Sequence, residues 1–141
     1  MSNLILCGPK GAGKTTFGKK LAELLGRPFF DTDQMFGDSK KLYLELGEKN
    51  FRELEKSTLQ KLKRVESSII ALGGGALLLP ENRKYLRQRG TIIYIHVDKK
   101  SWLKRVEMVD SPIFTPSKEA YYQLRVEICR KAAHIEINYG I

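Results

Sequence analysis

Residues 8–15 read Gly8-Pro9-Lys10-Gly11-Ala12-Gly13-Lys14-Thr15, and this stretch decides the fold. It matches the pattern G-x-x-x-x-G-K-S/T, in which glycines let backbone N–H groups curl around phosphate oxygens without obstruction by a Cβ atom. Lys14 supplies a positive charge to the β- and γ-phosphates, and the Thr15 hydroxyl can ligate Mg²⁺. The stretch therefore predicts a nucleotide-binding loop.

The sequence on either side of this loop fits that prediction. Residues 4–7 form an apolar run typical of a buried strand, and residues 16–25 carry apolar side chains at helical spacing. The phosphates would then meet a helix N-terminus, where free N–H groups and the helix dipole favour anions. The predicted nucleotide-binding residues of this segment are Gly8, Gly11, Ala12, Gly13, Lys14, Thr15 and Thr16.

The length and composition indicate one globular domain. A chain of 141 residues is long enough for one sizeable core and too short for two, so we expect a single domain over residues 1–141. The content of 42% hydrophobic and 29% charged residues is typical of a globular protein. No apolar run approaches the ~20 residues of a membrane span, and no secretory signal is evident. We expect a cytoplasmic protein.

Two further expectations concern the cysteines and the oligomeric state. Cys7 and Cys129 are isolated in the sequence and lack metal-ligand spacing, so we expect buried or half-buried, reduced thiols. The small size and the absence of an evident apolar surface stripe make a monomer our expectation.

The formal charge of +9, from 25 basic and 16 acidic residues, raises the question of a nucleic-acid partner. The basic residues are scattered, however, and they are not interleaved with aromatic side chains. A positive field also steers a nucleotide and a second anion into a site. We therefore expect small anionic ligands and no nucleic acid.

The rest of the chain alternates segments that resemble strands and helices. Predicted strands cover residues 4–7, 27–30, 68–72, 91–97 and 134–137, the last as an edge or terminal strand. Predicted helices cover residues 16–25, 42–46, 48–65, 80–89, 99–108 and 118–132. This alternation predicts an α/β fold with three α/β/α layers around a five-stranded parallel sheet. Ligands bind such sheets at the carboxyl ends of the strands.

Two acids follow the second predicted strand. Asp31 and Asp33 would share one side of the chain if it stays extended. One carboxylate could then hold Mg²⁺, and the other could accept a hydrogen bond from an attacking hydroxyl. Helix capping is the alternative, since Asp is a favoured N-cap residue. The third predicted strand contains no acid, which makes Asp31 the nearest candidate to support a metal.

Three consecutive glycines, Gly73, Gly74 and Gly75, end that third strand. They would present backbone N–H groups with little steric bulk, which suits the anchoring of a carboxylate or a phosphate. The alternative is a flexible turn, although three glycines carry an entropic cost that a plain turn does not require.

Arg52 and Arg125 are the arginines that the pattern singles out. Arg125 falls between Tyr121 and Ile128 on a predicted apolar stripe that also includes Leu124 and Ala132. Its planar guanidinium suits the bidentate recognition of a carboxylate. The alternative for both arginines is an ordinary surface residue whose stem covers apolar neighbours.

Taken together, these residues make the chain similar to the shikimate kinases, a family of small P-loop kinases. The resemblance runs from about residue 4 to residue 137. It rests on G-P-K-G-A-G-K-T-T at 8–16, D-T-D at 31–33, G-E-x-x-F-R-x-x-E at 47–55 and L-G-G-G at 72–75. It implies ATP-dependent phosphorylation of the 3-hydroxyl of shikimate, on the route to chorismate and the aromatic amino acids. ATP would be the co-substrate and Mg²⁺ the cofactor.

The resemblance also implies a role for each matched residue. Lys14 and Asp33 would be catalytic, and Thr15 and Asp31 would hold Mg²⁺. Arg105 would stack on adenine as part of the ATP site. The implied shikimate-binding residues are Asp33, Arg52, Gly73, Gly74, Gly75 and Arg125.

The sequence departs from the family pattern in three places. The lid, expected at about residues 109–118, normally carries an arginine that reaches the transferring phosphate, whereas this chain has Ser111-Pro112-Ile113-Phe114. Lys118 or Lys10 could substitute as a compact cation. The match at Arg125 is partial, because Cys129 stands where the family has tyrosine. The family's loop near adenine and its closing helix are not found before Ile141.

Two alternatives therefore stay open beside a shikimate kinase. One is a kinase of another small hydroxy acid such as gluconate, in which Arg52 and Arg125 bind a different carboxylate. The other is a protein that binds nucleotide and shikimate but has lost turnover together with the lid arginine.

Overall fold

The computed structural model has a five-stranded, all-parallel sheet at its centre. It describes residues 2–114 and 116–139. The strands are β1 (Asn3–Cys7), β2 (Phe29–Asp31), β3 (Ile69–Ala71), β4 (Gly90–His96) and β5 (Ile135–Asn138). The helices are α1 (Lys14–Leu25), α2 (Thr32–Met35), α3 (Ser39–Gln60), α4 (Pro80–Arg87), α5 (Lys99–Arg105) and α6 (Lys118–Ala132). A short 3₁₀ turn covers Pro112–Phe114.

The strand order is β2-β3-β1-β4-β5, so β1, which leads into the nucleotide loop, lies at the centre of the sheet. All four neighbouring pairs are parallel, and β5 lies at an edge. The predicted five-stranded parallel sheet is therefore confirmed. Its parallel pairing brings the ends of β1, β2 and β3 to one side, where the predicted site residues follow them.

Alternate side chains of the strands enter two cores on opposite faces of the sheet. On one face Ile5, Ile70 and Ile92 pack with side chains of the helices α3 to α6. On the other face Leu6, Ile69, Ile93 and Ile95 pack with α1. The period-2 alternation of a strand produces this division. The predicted α/β/α arrangement of three layers is confirmed.

The predicted helices over 42–46 and 48–65 correspond to the two helical segments of α3 on either side of Gly47. Helix α3 runs over Ser39–Gln60 and breaks at Gly47, whose φ of 80° and ψ of 170° interrupt the helical backbone. The Asp38 side chain caps its N-terminus by accepting a hydrogen bond from the Lys41 N–H at 3.1 Å. Glycine adopts this positive φ at little cost, so the two helical segments can follow each other directly.

Other predicted boundaries and faces shift by a few residues. Helix α4 ends at Arg87, and Gly90, expected only to end that helix, is the first residue of β4. A Cβ atom on Gly90 would lie less than 3 Å from the backbone of Asn3, so β1 and β4 approach each other only because this residue is glycine. In α6 the prediction that Leu124 belongs to the apolar stripe facing the core is wrong, because this residue is 47% exposed.

Two composition-based expectations concern the described residues. Cys7 and Cys129 are buried and free, as predicted. No helix within residues 2–114 and 116–139 has the length and apolar character needed to cross a membrane. Thr115 of the expected lid and Ile141 at the end of the expected domain lie outside the described residues.

Asn3 provides a test of how the sheet is assembled. Its buried amide donates to the carbonyls of Val65 at 2.8 Å and Arg89 at 3.0 Å, and accepts from the Ser68 N–H at 3.0 Å. We expect Asn3→Ala to lower the free energy of unfolding by roughly 2–4 kcal/mol, because it leaves buried backbone groups unpaired. Urea unfolding measures the change. The exposed strand residue Asn138, replaced by Ala, is the matched control with an expected change of about 0.5 kcal/mol or less. Equal losses in both variants would contradict this account.

Candidate active site

The nucleotide loop wraps the C-terminal end of β1 and leads directly into α1, which begins at Lys14. Gly11 and Gly13 have φ angles of 88° and 92°, a conformation that favours glycine. The buried Lys14 ammonium donates to the carbonyl oxygens of Gly8 and Pro9. The loop therefore holds its lysine with its own backbone, beside the place where a phosphate would bind.

A cavity of about 330 Å³ opens beside this loop. The loop and the start of α1 form one wall, helix α3 forms another, and the segment around the 3₁₀ turn closes a third side. The predicted site residues that line this cavity are Gly11, Ala12, Gly13, Lys14, Thr15, Thr16, Asp33, Arg52, Gly74 and Gly75. Nucleotide-loop and acceptor-side candidates thus share one cavity.

Asp31 makes two hydrogen bonds, one through each of its carboxylate oxygens. Its Oδ2 accepts a hydrogen bond from the Thr15 hydroxyl at 2.7 Å, and its Oδ1 accepts from the Asp33 N–H at 3.0 Å. The second bond caps α2, whose first residue is Thr32, so the chain does not stay extended after β2. A carboxylate has two oxygens, and each is used here for a different purpose.

Asp33 lines the cavity opposite Lys14. Burial raises the pKa of Asp33, while the nearby charges of Lys14, Lys10 and Arg52 act in the opposite direction. Burial also lowers the pKa of Lys14, and the carboxylate of Asp33 opposes that shift. A carboxyl group whose pKa is displaced towards neutrality, in a cavity, has the properties of a general base.

The three glycines after β3 allow other side chains to approach closely. A Cβ atom on Gly73 would lie less than 3 Å from Asp33, and one on Gly75 would lie less than 3 Å from Arg52. A Cβ atom on Gly74 would lie 2.6 Å from the hydroxyl oxygen of Tyr121. The sequence interpretation stressed free N–H groups, but the Gly73 N–H donates to Thr32 Oγ1 at 2.9 Å. Lack of bulk is the property of these glycines that the structure uses.

Arg52 is 5% exposed and lies between two carboxylates of its own helix. Its Nε donates to Glu48 Oε1 at 3.0 Å, and its Nη1 donates to Glu55 Oε1 at 2.9 Å. Its buried Nη2 has no hydrogen-bond partner among the described residues. The arginine is therefore oriented by Glu48 and Glu55, with one unpaired donor in a guanidinium that lines the cavity.

Arg125 is also buried, but it lines a small second cavity with Gly73 and Gly74 rather than the main one. Its guanidinium carbon lies 4.6 Å from the centroid of the Tyr121 ring. Its buried Nε lacks a partner within residues 2–114 and 116–139. Gly74 lines both cavities.

Arg105 lies on the outer side of the nucleotide loop. It is exposed at the end of α5, and its Nη1 donates to the Ala12 carbonyl at 3.2 Å. It does not line the main cavity. This position is beside the loop, where the base of a nucleotide could extend away from the phosphates.

The expected lid contributes Ser111, Pro112 and Ile113 to the cavity. Of the two lysines considered as substitutes for a lid arginine, Lys10 lines the cavity. Lys118 instead donates to the carbonyls of Val106 at 2.8 Å and Glu107 at 3.2 Å. Lys40 was not predicted; it lines the cavity and donates to the Asp110 carbonyl at 3.3 Å, which joins α3 to the lid.

Sequence reasoning missed three side chains that organise the site: Glu48, Glu55 and Tyr121. The two glutamates lie four residues before and three residues after Arg52, a spacing that places them beside it on a helix. That signal was available in the sequence. Tyr121 had no such signal as a site residue, because its partners Lys10 and Gly74 are distant along the chain.

A phosphate-binding loop with a buried lysine, a half-buried carboxylate and an oriented arginine, all around one cavity, defines a P-loop phosphotransferase site. The family model for shikimate kinase matches residues 10–140. The shikimate kinase of Burkholderia thailandensis is 37% identical over 98% of this chain and 81% of its own length. That of Psychrobacter cryohalolentis is 36% identical over 99% of this chain and 81% of its own.

A solved structure agrees with these sequence relatives. The structure described as shikimate kinase from Acinetobacter baumannii in complex with shikimate superposes with a TM-score of 0.87 and is 32% identical. The match covers 100% of this chain and 85% of that one. The chain belongs to the shikimate kinase family.

Replacement of Glu55 tests how Arg52 is held. We expect Glu55→Ala to lower the free energy of unfolding by about 3–5 kcal/mol, because it leaves a buried guanidinium without its buried carboxylate partner. Chemical denaturation measures the loss. Glu53, an exposed acid on the same helix, is the matched control, and Glu53→Ala should change stability by about 0.5 kcal/mol or less. A loss of similar size in both variants would rule out the buried pair as the cause.

Proposed function

We infer that this protein transfers the γ-phosphoryl group of ATP to the 3-hydroxyl of shikimate, giving ADP and shikimate 3-phosphate. The observation that carries this inference is the shared cavity, which the half-buried Asp33, the nucleotide loop and Arg52 all line. Membership of the shikimate kinase family supplies the substrate. A monomeric, cytoplasmic enzyme stays our prediction from composition.

The nucleotide side of the cavity would bind the phosphates of ATP. The N–H groups of Gly11 and Gly13 and the start of α1 would offer hydrogen bonds and a favourable dipole, whereas the Ala12 N–H donates to the Pro9 carbonyl at 3.1 Å. Lys14 would leave its backbone carbonyl partners and neutralise the β- and γ-phosphates. Arg105, which donates to the Ala12 carbonyl, would meet the adenine.

Thr15 and Asp31 fit a Mg²⁺ site. A hydroxyl and a carboxylate joined by a 2.7 Å hydrogen bond provide hard oxygen ligands, and Mg²⁺ uses one or two protein ligands together with water and phosphate. In the described part of the chain, no group of three or more acidic, histidine or cysteine side chains could hold a metal ion. A Mg²⁺ ion that takes only one or two ligands from the protein does not require such a group. When bound, the ion would neutralise charge on the phosphates.

The acceptor side suits a carboxylate that also carries hydroxyl groups. Arg52 offers its unpaired Nη2, and a substrate carboxylate would supply the partner that this donor lacks. Gly74 and Gly75 leave room for the ring of the substrate beside the arginine. Arg125 would support the site from the adjoining cavity, through Gly74.

Asp33 would accept a hydrogen bond from the attacking 3-hydroxyl and take its proton as the oxygen bonds to phosphorus. Its partial burial and its position in the cavity allow it to orient the hydroxyl towards the phosphate held by Lys14. Positioning and neutralisation of charge supply most of the acceleration in such transfers. Lys10, which lines the cavity, is the cation placed to offset charge on the γ-phosphate in the absence of a lid arginine.

ADP release measured with and without shikimate tests the function directly. We expect ATP- and Mg²⁺-dependent release that requires shikimate and is lost in Lys14→Met, which removes the phosphate-binding charge. Gluconate and other small hydroxy acids form the control panel. A response to gluconate alone would replace the proposed substrate. Binding of both ligands without release would support the impaired alternative, for which Ser111→Arg should then restore a rate.

The pH dependence tests the role of Asp33. Because burial raises its pKa, kcat/KM should fall as the pH drops through a value above the ordinary 3.8 of an aspartate, since only the ionised form accepts the proton. We expect Asp33→Asn to lower kcat roughly 10²-fold or more and to remove this acidic limb. Asp38→Asn, at an exposed helix cap, is the control and should keep both the rate and the limb. An unchanged acidic limb in Asp33→Asn would contradict the assignment.

A further inference from the structure

Tyr121 connects parts of the active site that lie far apart in sequence. The residue begins the second turn of α6 and is 3% exposed. Its ring stacks on Trp102 of α5 at a centroid distance of 5.8 Å and meets Phe114 edge-on at 4.9 Å. These contacts fix the ring, and with it the direction of the hydroxyl group.

The hydroxyl of Tyr121 holds the nucleotide loop. It accepts a hydrogen bond from the Lys10 N–H at 2.9 Å, across 111 residues of sequence. The Lys10 carbonyl in turn accepts from the indole N–H of Trp102 at 2.8 Å. The backbone N–H and the backbone carbonyl of Lys10 are therefore both hydrogen-bonded to aromatic side chains, those of Tyr121 in α6 and Trp102 in α5. Burial raises the pKa of Tyr121, so the hydroxyl stays neutral.

The same side chain contacts the acceptor side. Its hydroxyl oxygen lies so close to Gly74 that any Cβ atom there would be 2.6 Å away. The guanidinium carbon of Arg125 lies 4.6 Å from the centroid of the Tyr121 ring, within the range of a cation–π contact. Tyr121 thus touches the nucleotide loop, the triple glycine and a candidate substrate-binding arginine at once.

We propose that Tyr121 is a positioning residue that holds the nucleotide loop through its hydroxyl and Arg125 through its ring. The proposal rests on the proposed function, because it assigns the two contacts to ATP and shikimate respectively. The hydroxyl fixes the backbone of Lys10 by accepting its N–H, and so holds the start of the loop that would bind phosphate. The ring contacts the Arg125 guanidinium, and the hydroxyl lies against Gly74.

The two contacts can be separated by two substitutions. Tyr121→Phe keeps the ring and removes the hydroxyl, which accepts from the Lys10 N–H and also lies beside the Arg125 guanidinium. We expect it to weaken ATP binding about 5- to 50-fold, the usual effect of leaving such a donor unpaired, and to change the KM for shikimate less than Tyr121→Leu does. Tyr121→Leu also removes the ring, and should raise the KM for shikimate about fivefold or more.

Tyr122 provides the matched control. It is the next residue of α6, it is equally buried, and its hydroxyl donates to the Val97 carbonyl at 2.8 Å, away from the nucleotide loop. Tyr122→Phe therefore loses one buried hydrogen bond from the same aromatic cluster. We expect a comparable fall in the thermal midpoint, with ATP affinity and the KM for shikimate within about twofold of the original protein.

Calorimetric titration with ATP and Mg²⁺ decides the hydroxyl contact without any need for turnover. Weakened ATP binding in Tyr121→Phe but not in Tyr122→Phe supports the proposal. Unchanged binding in Tyr121→Phe, or equal weakening in both variants, overturns it. If shikimate proves not to be the substrate, the proposed function fails while this comparison still stands. A Tyr121→Leu variant with the shikimate KM of Tyr121→Phe would overturn the ring contact.

Discussion

The close approach of three side chains to the backbone after β3 is the constraint on which the rest of the site depends. Asp33, Tyr121 and Arg52 come from three different helices, and each lies against one glycine of the run 73–75. A Cβ atom at any of the three positions would lie less than 3 Å from its neighbour. The acid, the arginine and the tyrosine that holds the loop can converge only because this segment has no side chains.

Buried charges are the second feature that shapes the site. Arg52 is oriented by Glu48 and Glu55, and the loop carbonyls hold Lys14. Such groups are costly to bury alone, and each is therefore paired by hydrogen bonds or by an opposite charge. The unpaired Arg52 Nη2 is an exception, and it belongs to a residue that lines the cavity. In the proposed function a substrate carboxylate completes its hydrogen bonding.

Patterns within short segments were predicted well. The nucleotide loop, the five parallel strands and the buried, free cysteines follow from local spacing and composition, and the structure has them. Sequence reasoning treated Asp31 as a choice between a cap and a metal ligand. In the structure one carboxylate oxygen of Asp31 caps α2 and the other accepts a hydrogen bond from the Thr15 hydroxyl, so capping leaves the second oxygen available for the nucleotide loop. The break between two helical segments at Gly47 was predicted, although the segments begin at Ser39 and end at Gln60 rather than at 42 and 65. The predicted burial of Leu124 was wrong, since tertiary packing decides which face of a helix is buried.

The sequence by itself determined the nucleotide loop, the order of strands and helices, and the family to which the chain belongs. These follow from residues that are neighbours along the chain, whose spacing has direct physical consequences. Only the tertiary structure decided which groups meet: Tyr121 with Lys10, Arg52 with Gly75, and Arg125 with a separate cavity. Contacts between residues as much as 111 positions apart depend on how all the layers pack, and no local pattern records them.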